Sequence, residues 1–292
     1  MKFELNLPQV FSAFVSLAML LFLASCSSEH SSQAHPQWMS GLIEGHEILT
    51  RLSIAPANKA LGAEIFPEQP EFGSNAIIRG NVCTDFPEQR LATDPNLLDI
   101  YPPSKSVSWS LRGDLADLHF TRPERADSDM DSAFLSCEKS LQRVHVALKI
   151  VLESWKNNDR ERAFFFIGHT LHTLQDSFSP AHTRRLGGNF HILNDICSYE
   201  FTKPGVCRHG FPIDSNDFVD KDDALGTLKP EAEAAVQMSI GYLSVLGAFF
   251  KSDSIPINEE KLFSAVNEYF TIYNPTRNAG SGAFACTWLR GK

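Results

Sequence analysis

Positive charge is scarce in this chain: 26 Lys and Arg stand against 35 Asp and Glu, a formal net charge of −9. That balance gives no support to broad electrostatic capture of nucleic acid, which needs basic surface. Alternating apolar and polar stretches of useful length are absent, which argues against a core built from sheets. Internal repeats are absent too, and the one biased tract is a short serine-rich stretch near the start, SSEHSSQAHPQ at 27–37. Its composition suits a flexible tether, not a packed element. The apolar run at 11–23, FSAFVSLAMLLFL, is thirteen residues long, too short to span a bilayer comfortably, which takes about 20.

What is present begins with that run. It follows a weakly charged start carrying only Lys2 and Glu4, and it reads as the apolar core of a signal peptide. It ends in Leu23-Ala24-Ser25-Cys26, which resembles the lipobox of bacterial lipoproteins. The resemblance implies cleavage before Cys26 and a lipid on that cysteine, and Ser27 in place of aspartate points to the outer membrane. The expected organisation is a lipoprotein signal peptide at 1–25, a lipid-anchored tether at 26–40 and one domain at 41–292. Export permits disulfides. With Cys26 used as the anchor, Cys83, Cys137, Cys197, Cys207 and Cys286 remain, an odd set that leaves at least one without a partner inside the chain. Cys197 and Cys207 flank the turn signal Lys203-Pro204-Gly205 and are the favoured pair.

The apolar periodicity is helical. The spacing predicts helices over 41–54, 132–155, 161–177, 191–199, 230–250 and 259–273, with Pro230 suited to a first turn. The stretch AFFFIGHTLHTL at 163–174 is apolar on most sides, as a helix in the middle of a bundle should be. The proline-rich region from 55 to 123 reads as long loops with one short helix. The expected fold is therefore all-α, a helical bundle with long loops.

The chemistry is concentrated in HTLQDSFSPAH, residues 172–182. His172 and Asp176 are four apart, so a helix sets them one turn apart on one face. Pro180 ends that helix, and His182 leaves the turn near the same end. His191 and Asp195 repeat the spacing nine residues further on. Buried charges are rare unless paired or bound to metal. Two such pairs so close together point to a metal cluster in a helical bundle, against the plainer reading of a hydrogen-bonded polar core.

These residues carry a family resemblance. The stretch 159–182, DRERAFFFIGHTLHTLQDSFSPAH, resembles the central segment of the bacterial zinc-dependent phospholipases C. The shared pattern is an aromatic run, then H-x3-D-x5-H with proline two before the last histidine. That family is all-α, binds three zinc ions and hydrolyses phospholipids to diacylglycerol and a phosphorylated headgroup. It is related to the single-strand-specific zinc nucleases. Gly45-His46, the loop from Gly80 to Asp85, and His119 in Leu118-His119-Phe120 match its remaining motif positions. By this resemblance Asp85, His119, His172 and Asp176 hold the first zinc, and His182, His191 and Asp195 the second. His46 holds the third and shares Asp176. Asp85 doubles as a general base.

Three features depart from the family pattern. An N-terminal tryptophan usually completes the third site, whereas Trp38 lies inside this chain. Asp195 stands where well-known members carry glutamate, and Ala116 replaces an aromatic of the choline pocket. His169 shares the face of His172 but reads as a core histidine, His145 and His209 as surface residues, and Arg184 and Arg185 as a solvated loop. The expected function is a lipid-anchored phospholipase C acting on glycerophospholipids. The alternatives are a nuclease of the related type and a zinc-binding lipoprotein without catalysis.

Overall fold

The computed structural model of the protein describes residues 44–69, 74–84, 113–121, 130–180, 182–186, 189–196, 228–252, 258–273 and 283–285. The fold is all-α. Its helices are α1 (Glu44–Leu61), α2 (Ala76–Cys83), α3 (Met130–Lys156), α4 (Arg160–Asp176), α5 (Pro230–Lys251) and α6 (Glu259–Asn267), with a 3₁₀ helix at Gly113–His119.

The helix starts are set by side chains that satisfy otherwise orphaned backbone donors. Asn75 accepts from Ile77 N and Ile78 N before α2, Asp159 from Arg162 N before α4, and Asn258 from Lys261 N before α6. The predicted spans of α3, α4 and α5 agree with the observed ones to within two residues. The first helix runs further than the spacing predicts, through Pro56 to Leu61. Ala57 and Asn58 are buried, and the Asn58 amide holds both Ile65 N and Phe66 N at 3.0 Å. Burial along α5 and this side-chain clamp outweigh the single backbone bond that proline forgoes. Gly62, at φ +61°, ends the helix in the left-handed conformation that suits glycine.

Helix α4 is the centre of the bundle, lying against α2 and α3 with further contacts to α1 and α5, while α1 packs along α5. Every residue of α4 from Phe165 to Asp176 is buried. Its approach to α2 is backbone to backbone: a Cβ on Gly80 would stand 1.8 Å from the Phe165 carbonyl oxygen, and one on Gly168 2.1 Å from that of Ile77. Only glycine permits helices to meet this closely. On the far side, Leu141, Val144, Leu148 and Val151 of α3 are buried, and Trp155 stacks on Phe250 of α5 at 4.0 Å. Helix α5 is long and apolar enough by composition to cross a membrane, yet Ala232, Ala235, Tyr242, Leu243 and Leu246 lie in the core.

One expectation is overturned. The helix expected over 191–199 is not formed in its described part, 191–196: β2 (Asn189–Ile196) is a strand, paired antiparallel with β1 (Thr183–Leu186) and parallel with β3 (Thr271–Tyr273), which pairs antiparallel with β4 (Ala283–Ala285). The last predicted helix accordingly stops at Asn267, before β3. The segment NFHILNDI is a short apolar run whose periodicity fits either state, and its aromatic and β-branched content favours extended pairing once β1 is beside it. Cys83 and Cys137 are both disulfide-bonded. The favoured pair Cys197 and Cys207 lies outside the described residues.

Candidate metal centre

Three segments converge on the C-terminal end of α4. His172 and Asp176 come from α4 itself, His46 from the first turn of α1, His119 from the end of the 3₁₀ helix, and His182 from the turn after α4; all five are buried. The 3₁₀ helix is pinned to α4 by Thr173, whose hydroxyl donates to the Leu118 carbonyl at 2.8 Å. Phe120, directly after His119, has φ 50°, a left-handed conformation that costs a bulky residue about 1–2 kcal/mol. The chain turns there while the Phe120 ring packs near Phe270, 6.0 Å between centroids. Past Pro180, His182 N donates to Ser179 O at 3.0 Å, and His182 Nδ1 donates to the backbone carbonyl of His119.

The two oxygens of Asp176 serve different partners. Oδ2 lies 2.8 Å from His119 Nδ1 and 3.0 Å from His172 Nε2, with His182 Nδ1 at 3.8 Å. Oδ1 lies 3.0 Å from His46 Nε2. That contact is not in hydrogen-bonding orientation, and Oδ1 takes part in no hydrogen bond although it is buried. His119 Nδ1 and His172 Nε2 are themselves 3.0 Å apart, and the His46 and His172 rings stack at 4.1 Å between centroids. Burial alone would push the Asp176 carboxyl up. Positive charge on the imidazoles of His182, His172 and His46 when they are protonated, together with the hydrogen bond from His119, outweighs burial and holds it well below the usual carboxylate range.

This donor set fits a divalent cation. Ligand atoms of His46, His172 and Asp176 all lie within 4.8 Å of one another, and imidazole with carboxylate is a mix that zinc accepts. A buried carboxylate oxygen without a hydrogen bond is costly as it stands, and a cation between it and the histidines removes that cost. His46, His172 and Asp176 would hold the metal ion, with His119 beside them on Asp176 Oδ2.

Behind the ring of histidines lies a set of amides and hydroxyls. Gln175 Oε1 is 3.0 Å from His46 Nδ1, and Asn81 Oδ1 is 3.3 Å from His172 Nδ1. Asn81 Nδ2 donates to Gln175 Oε1 at 3.0 Å and to Thr50 Oγ1 at 2.9 Å. Gln175 Nε2 donates to Thr50 Oγ1 at 3.1 Å and to Ser239 Oγ at 3.4 Å. Sequence reasoning missed Asn81, Gln175 and Thr50, because a role for a buried amide depends on which helix lies beside it. The one available hint was Gly80, which lets α2 approach α4 and delivers Asn81 to His172.

Of the residues singled out in sequence, the structure brings together His46, His119, His172, Asp176 and His182. Asp85 and Cys26 lie outside the described residues. His191 and Asp195 are carried on strand β2, where the backbone alone is described. Thr84, next to Asp85, meets His169 Nδ1 at 2.7 Å through its hydroxyl, and His169 is buried against Phe165 and Phe166, as a core histidine. His145 is half-buried between α3 and α6 and is not a plain surface residue. Comparison of the chain with family models, characterised proteins and solved structures finds no match.

Proposed function

We propose that the protein is a zinc-dependent phosphodiester hydrolase, a phospholipase C that cleaves glycerophospholipids to diacylglycerol and a phosphorylated headgroup. It would work from the membrane through a lipidated Cys26. The observation that carries this reading is Asp176, a buried carboxylate with His46 on one oxygen and His119 and His172 on the other. A carboxylate shared in that way is suited to bridging two metals, and the resemblance of the 159–182 segment supplies the reaction.

Bound zinc would supply positive charge for an anionic phosphodiester and a nucleophile at neutral pH. The chain's own residues do the rest. Asp176, His119 and His172 form one face of the centre, His46 the other, and the His182 side chain is oriented by its bond to the His119 carbonyl. His182, His191, Asp195 and Asp85 are proposed to complete the ligand set, with Asp85 as general base. Burial of the cluster keeps bulk water from competing for these groups. The net charge of −9 favours a lipid substrate over a polyanionic strand.

The test is paired hydrolysis of phosphatidylcholine vesicles and single-stranded DNA by the purified protein, before and after chelation and after return of Zn²⁺. Lipid hydrolysis lost on chelation and restored by zinc is expected. Zinc-dependent cleavage of DNA alone would make the protein a nuclease. Zinc uptake with no turnover of either substrate would leave a zinc-binding lipoprotein and end the catalytic reading.

A further inference from the structure

We infer that Gln175 and Asn81 are positioning residues that hold His46 and His172 in one shared tautomer, with Nε2 turned unprotonated toward Asp176. The inference rests on the proposed metal centre and adds to it the groups that make the two histidines ready to bind.

The proton assignment follows from counting donors. Asn81 Nδ2 has two hydrogens and two acceptors, Thr50 Oγ1 and Gln175 Oε1. Gln175 Nε2 likewise has two, Thr50 Oγ1 and Ser239 Oγ. Both amide oxygens are then left facing imidazole nitrogens: Gln175 Oε1 faces His46 Nδ1 and Asn81 Oδ1 faces His172 Nδ1. Each Nδ1 must donate, so each Nε2 carries the lone pair in the neutral ring. Those nitrogens lie 3.0 Å from opposite oxygens of Asp176.

The amides also couple the two rings. Turning over Gln175 alone would set its NH₂ against that of Asn81, and turning over Asn81 alone would set two carbonyl oxygens together. Only a joint reversal keeps the amide-to-amide bond. That reversal asks the single Thr50 hydroxyl hydrogen to serve two carbonyl oxygens in place of the two amide donors it accepts now. The observed register is the better satisfied one, and it prepares both faces of Asp176 at once.

Histidine ring ¹⁵N shifts of the metal-free protein at mildly alkaline pH test the assignment without any substitution. His46 and His172 should both carry the proton on Nδ1; a proton on Nε2 of either overturns the inference. Zinc titration against a competing chelator tests its consequence. Gln175→Met removes the acceptor for His46, so that ring should move its proton to Nε2, where it faces Asp176 Oδ1 and blocks the lone pair from a metal. Zinc affinity on that face should fall about 10- to 100-fold, the usual effect of losing an outer partner of a histidine ligand. Gln175→Glu keeps the acceptor and should keep both the tautomer and the affinity. Zinc uptake unchanged in Gln175→Met overturns the role of the pair while leaving the metal centre standing. An unmodified protein that shows the assigned tautomers but takes up no zinc overturns the metal centre itself.

Discussion

Asp176→Asn is the substitution that most directly probes the centre, because one atom is exchanged and the volume is kept. In the native site each carboxylate oxygen faces a different set of nitrogens, Oδ1 toward His46 and Oδ2 toward His119 and His172. An amide has one oxygen to offer. Whichever way it turns, one face receives an NH₂ group, which cannot bind a cation, and the other loses a negative charge. The polar contact to a charged group is worth about 1.5–3 kcal/mol, so the face that keeps its oxygen loses roughly one to two decades in zinc affinity. The face that receives NH₂ loses its site. Bound zinc should therefore drop by more than one equivalent, and phospholipid hydrolysis should disappear.

The measurement is metal content by mass spectrometry after dialysis against a weak chelator, run beside vesicle hydrolysis. Helical circular dichroism establishes that the variant folds. The fold should survive, because the side-chain volume is kept and the amide oxygen can still accept from His119 Nδ1. Native zinc content with native turnover in a folded Asp176→Asn protein would refute the bridging role, and with it the argument for two metals on one carboxylate.

Gly168→Ala should disrupt the α2–α4 contact, since its Cβ would meet the Ile77 carbonyl oxygen at 2.1 Å and Asn81 N at 2.5 Å; overpacking against backbone should cost about 3 kcal/mol or more, a fall in melting temperature of roughly 6–12 °C, and an unchanged melting curve would contradict the packing. His145 concerns pH. Burial, then the charge of Lys149, lower its pKa against the raising effect of its bond to Asn267. The folded state therefore binds fewer protons than the unfolded one below pH 6.5, and stability is complete above that value and falls as pH drops toward the folded pKa. His145→Phe, which keeps a ring on Phe263, should lose less stability than the native protein between pH 7.5 and 5.5; parallel thermal melts showing equal losses would remove His145 from the acid sensitivity.

The legible parts of this fold are those where one local signal decides. The α3 and α4 periodicities run over many turns, and α5 begins at a proline suited to its first turn, so their spans could be read from spacing alone. His172 and Asp176 were legible for the same reason, being one turn apart on a single helix, as was His182, two residues beyond the proline that stops it. Pro56 misled because a proline inside a helix costs a bond locally and is repaid only by burial along α5 and by Asn58, neither visible in a window of ten residues. The segment 189–196 misled differently. Eight residues of mixed apolar character fit both periods, and what decides is the strand β1 beside them, so the His191 and Asp195 spacing did not by itself establish a helix.

The deeper limit concerns the groups that stand behind the ligands. A metal ligand announces itself by residue type and by its spacing from another ligand on the same element. Gln175 and Asn81 have no such spacing: they are 94 residues apart, and they meet because Gly80 and Gly168 let two helices touch through their backbones. Nothing in either residue distinguishes it from a surface amide until that contact exists. The same contact brings Gln175 and Asn81 behind the two histidines that face different oxygens of Asp176. The bundle thus determines the chemistry at its centre through two glycines that carry no chemistry of their own, and a cavity-neutral change at either should alter zinc affinity in proportion to how far α2 moves from α4. A Gly80 or Gly168 variant that stays folded, with the helices apart and zinc binding intact, would break that link between packing and site.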